Sequence, residues 1–357
     1  MRPAISRTAR PAISRTARAV HDAALIVDLH ADTPKLMARG YDLFRRHENR
    51  PLLGRLAGHV DVPRMREGGL KAQFFTCWTF PHPERGCAED VHRQLDALCA
   101  AAAAHPDELR LCTGAAAVRE AAGAPVRLGL CGIEGGQALE GRLENLEAFA
   151  RRGVRYLGLL HFSANAIGRP ARGFRARADR GLTPFGVEVV DACARLGVLV
   201  DLAHINRRGF LEAVARRPGP LLVSHTGLCG VTPLWRNIDD EQLRAVADSG
   251  GCVGVVFAPR YVGGDLEAVC DHLLHVINVA GEDVAALGSD WDGMIRPAAG
   301  LADPAGLPWL TEALLRRGLR DTTIHKLLGG NVLRVLDAAP ARVADAVGPR
   351  AAPHGRV

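Results

Sequence analysis

Leu25-Ile26-Val27-Asp28-Leu29-His30-Ala31-Asp32-Thr33-Pro34 is the stretch on which the fold turns. An apolar run ends in a histidine and an aspartate two residues apart. Strand side chains two apart share a face, so His30 and Asp32 can aim an imidazole and a carboxylate at one point past the strand's end. Pro34 stops the strand and suits the first turn of a helix. An open dinucleotide-binding sheet usually places a glycine-rich turn after its first strand, and His30-Ala31-Asp32 occupies that place here. Alone, the pair could be no more than a capped turn. It gains meaning because the chain repeats the pattern.

Outward from this point, apolar runs predict strands near 25–30, 70–78, 126–133, 154–160, 198–203, 220–224, 252–257 and 284–289. Helical patterns fall between them at 88–104, 143–152, 185–196, 206–216, 239–249 and 265–280, with Gly153, Gly197 and Gly281 among the joints. Runs such as Val198-Leu199-Val200 are what parallel strands covered on both faces look like. Eight of them alternating with helices predict an α/β fold, a (β/α)8 TIM barrel, with a doubly wound sheet as the alternative. Residues 307–337 read as extra C-terminal helices outside the barrel. The segment 33–69 is expected to carry a further helix or a lid.

The net charge of +6 is confined to the ends. Residues 1–18 carry five arginines and no acid, and residues 338–357 three arginines and one aspartate, which leaves the body about one negative charge. No basic stripe interleaved with aromatics marks a nucleic-acid surface. The nonapeptide Arg2–Arg10 recurs at Arg10–Arg18. It has no apolar core like a secretory signal, and residues 1–18 and 338–357 are read as disordered tails flanking a 19–337 hydrolase barrel. No apolar run is long enough to span a bilayer. The nine cysteines include no Cys-x-x-Cys pair, so free thiols in a reducing, cytoplasmic setting are expected.

In a barrel of this kind chemistry gathers at the carboxyl ends of the strands. After His30 and Asp32 comes Cys131-Gly132-Ile133-Glu134-Gly135-Gly136, whose carboxylate is either an acid at a helix start or the partner of a cation. The next strands end at His161, at Asp201-Leu202-Ala203-His204 and at Ser224-His225. Neighbouring strands lie about 5 Å apart, so two such imidazoles can reach one metal. The last strand ends Ser289-Asp290-Trp291-Asp292-Gly293, where Asp292 reads as a turn former. Carboxylates and imidazoles at six strand ends suit Zn²⁺ or a similar divalent ion, with ligands enough for two.

The ordered pieces Asp28-Leu29-His30-Ala31-Asp32, Gly132-Ile133-Glu134-Gly135, Leu160-His161-Phe162, Asp201-Leu202-Ala203-His204, Ser224-His225 and Gly288-Ser289-Asp290-Trp291-Asp292-Gly293 resemble the membrane (renal) dipeptidase family of zinc metallopeptidases, an amidohydrolase-type barrel. Arg236-Asn237-Ile238-Asp239-Asp240 and Gly329-Gly330-Asn331-Val332-Leu333-Arg334-Val335 extend the likeness over roughly 20–337. The resemblance implies a zinc-dependent dipeptidase that tolerates a D-residue on the C-terminal side and uses a hydroxide bridging two zinc ions. His30 and Asp32 would hold one ion, His204 and His225 the other, and Glu134 would bridge. Related barrels bridge with a carboxylated lysine, but Lys35, Lys71 and Lys326 fall at no predicted strand end. The likeness further implies that His161 contacts the scissile carbonyl oxygen, that Arg236 and Tyr261 bind substrate, and that Asp290 moves the proton. Leu29 stands where the family commonly has glycine. Small dipeptides are the expected partner, without nucleic acid or membrane, and a homodimer is an assembly the family allows. A two-metal amidase or lactonase for another small acid, or a non-catalytic binding barrel, are the competing readings. The loop 163–183, with Arg169, Arg172, Arg175, Arg177 and Arg180 against Asp179, is either a solvated run or a selector of acidic substrates.

Overall fold

The computed structural model describes residues 12–48, 56–81, 85–216 and 219–339. Among these, nine strands pair in parallel: β1 (Ile26–Ala31), β2 (Leu70–Trp78), β3 (Leu109–Leu111), β4 (Arg127–Glu134), β5 (Val154–Gly158), β6 (Leu199–Asp201), β7 (Leu222–Thr226), β8 (Cys252–Val255) and β9 (Ala285–Leu287). β1 lies between β2 and β9, and β2 also pairs with β4 from Ala72↔Leu128 to Trp78↔Glu134. Eight strands therefore close in the ring β1-β2-β4-β5-β6-β7-β8-β9. An open doubly wound sheet is excluded by that closure. The unanticipated β3 hangs outside the ring on β4; three residues, one of them exposed, carry too little apolar pattern to signal a strand.

The strands are apolar on both faces because both are covered. Val27, Leu29, Phe74, Leu130, Tyr156, Leu199 and Leu222 pack together inside the cylinder. A second cluster, with Ile26, Phe75, Ile133 and Val200, joins the strands to the outer helices. The helices Ala115–Glu120 and Asn331–Ala338 add Val118, Val332 and Leu336 to the interior cluster. They close the end of the cylinder where strands begin, where Gly329 abuts the carbonyl of Leu25. The other end stays open.

Residues 12–18 correct the expected disordered tail. Ser14 caps the helix Arg15–Asp22 by accepting from the Ala17 N–H, and both its N–H and its hydroxyl donate to Glu312. Ala17 and Val20 bury against the body. The second copy of the nonapeptide thus supplies the cap and the first buried residue, Ala17, of a helix that its arginines mask in the composition. The rest of that tail, and residues 340–357, lie outside the described residues. The segment 33–69 carries two short helices, Thr33–Met37 and Val62–Glu67.

Candidate metal centre

The six strand ends converge at the open mouth. Glu134, the last residue of β4, is buried and sits at the middle. One of its oxygens lies 3.1 Å from His204 Nε2, 3.4 Å from His225 Nε2 and 3.8 Å from His30 Nε2. Its other oxygen is 3.5 Å from His161 Nε2. His30 Nε2 lies 3.4 Å from Asp32 Oδ1 and 4.0 Å from Asp290 Oδ1. Neither dull reading of the carboxylates holds. Asp32 precedes the helix Thr33–Met37 without capping it, and the turn after Glu134 is led by Gly135 with no side-chain cap.

The imidazoles are held by hydrogen bonds that decide which nitrogen is bare. Ser224 Oγ donates its one proton to Asp201 Oδ2 (2.7 Å), so at 2.9 Å it accepts from His225 Nδ1–H. His225 Nε2 is then a lone pair facing the mouth. On β1, the Tyr156 hydroxyl donates to the Leu29 carbonyl (3.1 Å) and accepts from His30 Nδ1–H (3.0 Å). His30 Nε2 is likewise bare. Such partners behind an imidazole fix the tautomer a metal requires. Tyr156 reaches His30 only because its register partner is Gly132, where a Cβ would lie 2.2 Å from the ring. A register slip of β1 between Asp28 and Ala31 accompanies the turn of His30 toward the centre.

Electrostatically the cluster is unfinished. His30 Nε2 and Asp32 Oδ1 are buried and have no hydrogen-bond partner among the described residues. His204 Nε2 and His225 Nε2 lie 2.9 Å apart; with His225 Nε2 bare, that approach is bridged either by a proton on His204 Nε2 or by a cation between the two nitrogens. Burial, with repulsion from Asp32, drives the Glu134 carboxyl well above its ordinary range; burial does the same to Asp32 and Asp290. Burial also depresses His204 and His225 well below theirs and His161 to about 3. A buried set of carboxylates and neutral imidazoles whose lone pairs converge fits divalent cations. Three combinations place all their donor atoms within 4.8 Å of one another: His30, Asp32 and Glu134; Glu134, His161 and His204; His30, His225 and Asp290. Strained backbone marks the same place, since His204, Asp290 and Asp292 adopt φ of 65°, 62° and 67°. Gly293 is needed beside Asp290, whose Oδ1 would lie 2.1 Å from any Cβ there.

The cluster forms the floor of a cavity of about 320 Å³, walled by Trp78, Phe80, Phe162, Arg236, Tyr261 and Met294 among others. Arg236 is buried. Its Nη2 donates to the His225 carbonyl (2.7 Å), its Nε has no partner among the described residues, and its guanidinium lies 5.8 Å from the Tyr261 ring centre. Among the described residues no carboxylate lies within 4 Å of it. Asp292 is a loop former, accepting from Thr33 Oγ1 (2.7 Å) and the His59 N–H (2.6 Å). Of the loop arginines, Arg177 pairs with Asp179 and Arg172 lies over Trp235 at 5.3 Å; none of the five lines the cavity. Lys35 pairs with Asp90, Lys71 donates to the carbonyls of Ala124 and Val126, and Lys326 pairs with Glu282. Sequence reasoning did not find Tyr156, Ser224 or the Trp78–Phe80 wall as parts of the site. The pairing of a tyrosine inside an apolar strand with Gly132 was the available signal for the first.

A model of the membrane dipeptidase family (peptidase family M19) matches residues 14–346. A crystal structure of a metallo peptidase from Rhodobacter sphaeroides, liganded with a phosphinate mimic of the dipeptide L-Ala-D-Ala, is similar at 27% identity and TM-score 0.79, over 89% of this chain and 99% of that one. A dipeptidase structure described as a family M19 metallo peptidase is similar at 28% identity and TM-score 0.81, with the same coverage. The probable dipeptidase PvdM from Pseudomonas aeruginosa, at 19% identity, shares the fold at TM-score 0.82 over 91% of this chain and 97% of its own.

Proposed function

This chain belongs to the membrane dipeptidase family, and from that premise we propose that it holds two zinc ions at the barrel mouth and cleaves the peptide bond of small dipeptides. It is a metal-dependent hydrolase of dipeptides. The observation that carries the reading is the meeting of three bare or facing imidazole nitrogens on one oxygen of Glu134. His30 and Asp32 would hold one ion, His204 and His225 the other, with Glu134 shared. When bound, the ions supply Lewis acidity and bring the pKa of a coordinated water toward ~7.

The chain's own residues do the rest. Asp290, whose Oδ1 lies 4.0 Å from His30 Nε2 at the edge of the cluster, acts as a carboxylate that takes the proton of the attacking water and gives it to the departing amine. His161, neutral and at the cavity wall, donates a hydrogen bond to the carbonyl oxygen as negative charge develops there, an interaction worth roughly 3 kcal/mol. Arg236 holds the free carboxylate of the substrate in a fork, already oriented by the His225 carbonyl and Tyr261. A carboxylate clamp near the reacting centre leaves no room for a longer chain, which makes the activity a dipeptidase activity. The D-residue carried by the mimic in the Rhodobacter relative supports a D-residue on the C-terminal side here. Nine cysteines free of disulfides support a reducing compartment such as the cytoplasm, and no helix of the described residues is long and apolar enough to cross a membrane.

Two outcomes test this. Chelation is expected to abolish hydrolysis of L-Ala-D-Ala and added zinc to restore it; full activity in metal-free protein would end the proposal. Arg236→Ala is expected to lower kcat/KM by about 100-fold, mostly through KM, because a charge-assisted bond to the substrate carboxylate is lost. Unchanged KM on a dipeptide series would remove the clamp.

A further inference from the structure

We propose that Trp78 and Phe80, together with Met294, form the subsite for the side chain of the substrate's N-terminal residue, and that this subsite selects a bulky apolar side chain. The inference deepens the dipeptidase reading and rests on it. It starts from the order of the ring. β2 and β7 stand four places apart among eight strands, so they face each other across the mouth. Arg236 follows β7 and would fix the substrate carboxylate on that side. Two residues span about 7 Å, so a dipeptide anchored there crosses the Glu134 cluster at its peptide bond. Its N-terminal residue then lies over the end of β2. Trp78, register partner of Glu134, ends that strand, and Phe80 follows.

Three further observations agree. Five large apolar side chains are exposed among the described residues, and Phe80 (60%), Phe162 (41%) and Met294 (61%) line this one cavity. Single exposed apolar residues are ordinary, but their convergence on one mouth marks a binding surface. Met294 is also held there at a cost: with Asp290 and Asp292 it is the third non-glycine residue within five to adopt positive φ. Thr33 and the His59 N–H clamp that loop through Asp292. Finally, the shelf is rigid and its charge is already spent. Gln94 ties the Trp78 backbone at both N–H (3.2 Å) and carbonyl (2.8 Å). Lys35 Nζ lies 5.2 Å from the Trp78 ring and 5.6 Å from the Phe80 ring but is paired with Asp90. An apolar side chain meets matching surface there, whereas a charged one loses water and, among the described residues of this wall, finds the one nearby ammonium, Lys35, already paired with Asp90.

The test is kcat/KM of the zinc-loaded full chain on a series Xaa-Ala, with the C-terminal alanine constant and Xaa as Gly, Leu, Met, Phe, Asp or Lys. Leu, Met and Phe are expected to exceed Gly, Asp and Lys by about 10-fold or more. Phe80→Ala and Met294→Ala are each expected to shrink the Phe-to-Gly ratio several-fold. Both residues are exposed, so neither change opens the core. A flat or acid-favouring profile, from an enzyme that does hydrolyse the series, overturns the subsite and leaves the dipeptidase reading standing. A ratio unmoved in both variants overturns it too. Hydrolysis of none of the series overturns both readings together.

Discussion

Asp290→Asn is expected to retain the bound metal and lose turnover, with kcat falling roughly 10²–10⁴-fold. The substitution removes the basic oxygen and little else. Asp290 sits at φ 62°, a region that asparagine tolerates better than most residues, so the turn survives. Its Oδ1 stands 4.0 Å from His30 Nε2, while Glu134 and Asp32 approach the same nitrogen more closely. On the proposed reading it touches the attacking water and holds no ion, while its place in a donor set with His30 and His225 makes ligation the competing outcome. Metal content measured beside kcat separates the cases. A variant that loses metal would make Asp290 a ligand, and unchanged kcat would leave it without a role.

Glu134→Gln is expected to be more severe, because it removes the negative charge at which His204, His225 and His30 meet. An amide offers one weak acceptor where a shared carboxylate is required. Activity should drop on the order of 10³-fold or more, to the level of metal-stripped wild type. Stability should move in the opposite sense. The metal-free wild type buries a carboxylate that its surroundings push toward neutrality, whereas glutamine carries no charge to desolvate. The metal-free variant should thus melt no lower than metal-free wild type. The rise in Tm that zinc gives wild type by binding the folded state should vanish. A variant that still gains Tm with zinc would show that Glu134 is not the shared ligand.

Much of this arrangement was legible because the barrel obeys a simple grammar. A strand covered on both faces reads as an apolar run, and a polar residue at its end has few reasons to be there except the mouth. β2 matches its predicted span of 70–78 from end to end, and Glu134 was conspicuous as a carboxylate between glycines at the close of β4. What escaped notice depends on contacts distant in sequence. Tyr156 looks like one more large core residue until Gly132 is seen beneath its ring, and its hydroxyl bears on His30, 126 positions away. Ser224 acts only by relaying Asp201 to His225. The helix Arg15–Asp22 hid within an arginine-rich repeat because its stability comes from Glu312 on the opposite end of the chain. β3 is too short to have a pattern at all. The arginine loop was legible as charge, but only the cavity's lining tells that those arginines stay outside it.

The most direct test is the metal content of the purified chain, read by elemental analysis beside dipeptide turnover. Two equivalents of zinc per chain, falling together with activity on dialysis against chelator, is the predicted result. A protein free of divalent metal that still hydrolyses dipeptides at full rate would contradict a mouth built around cations.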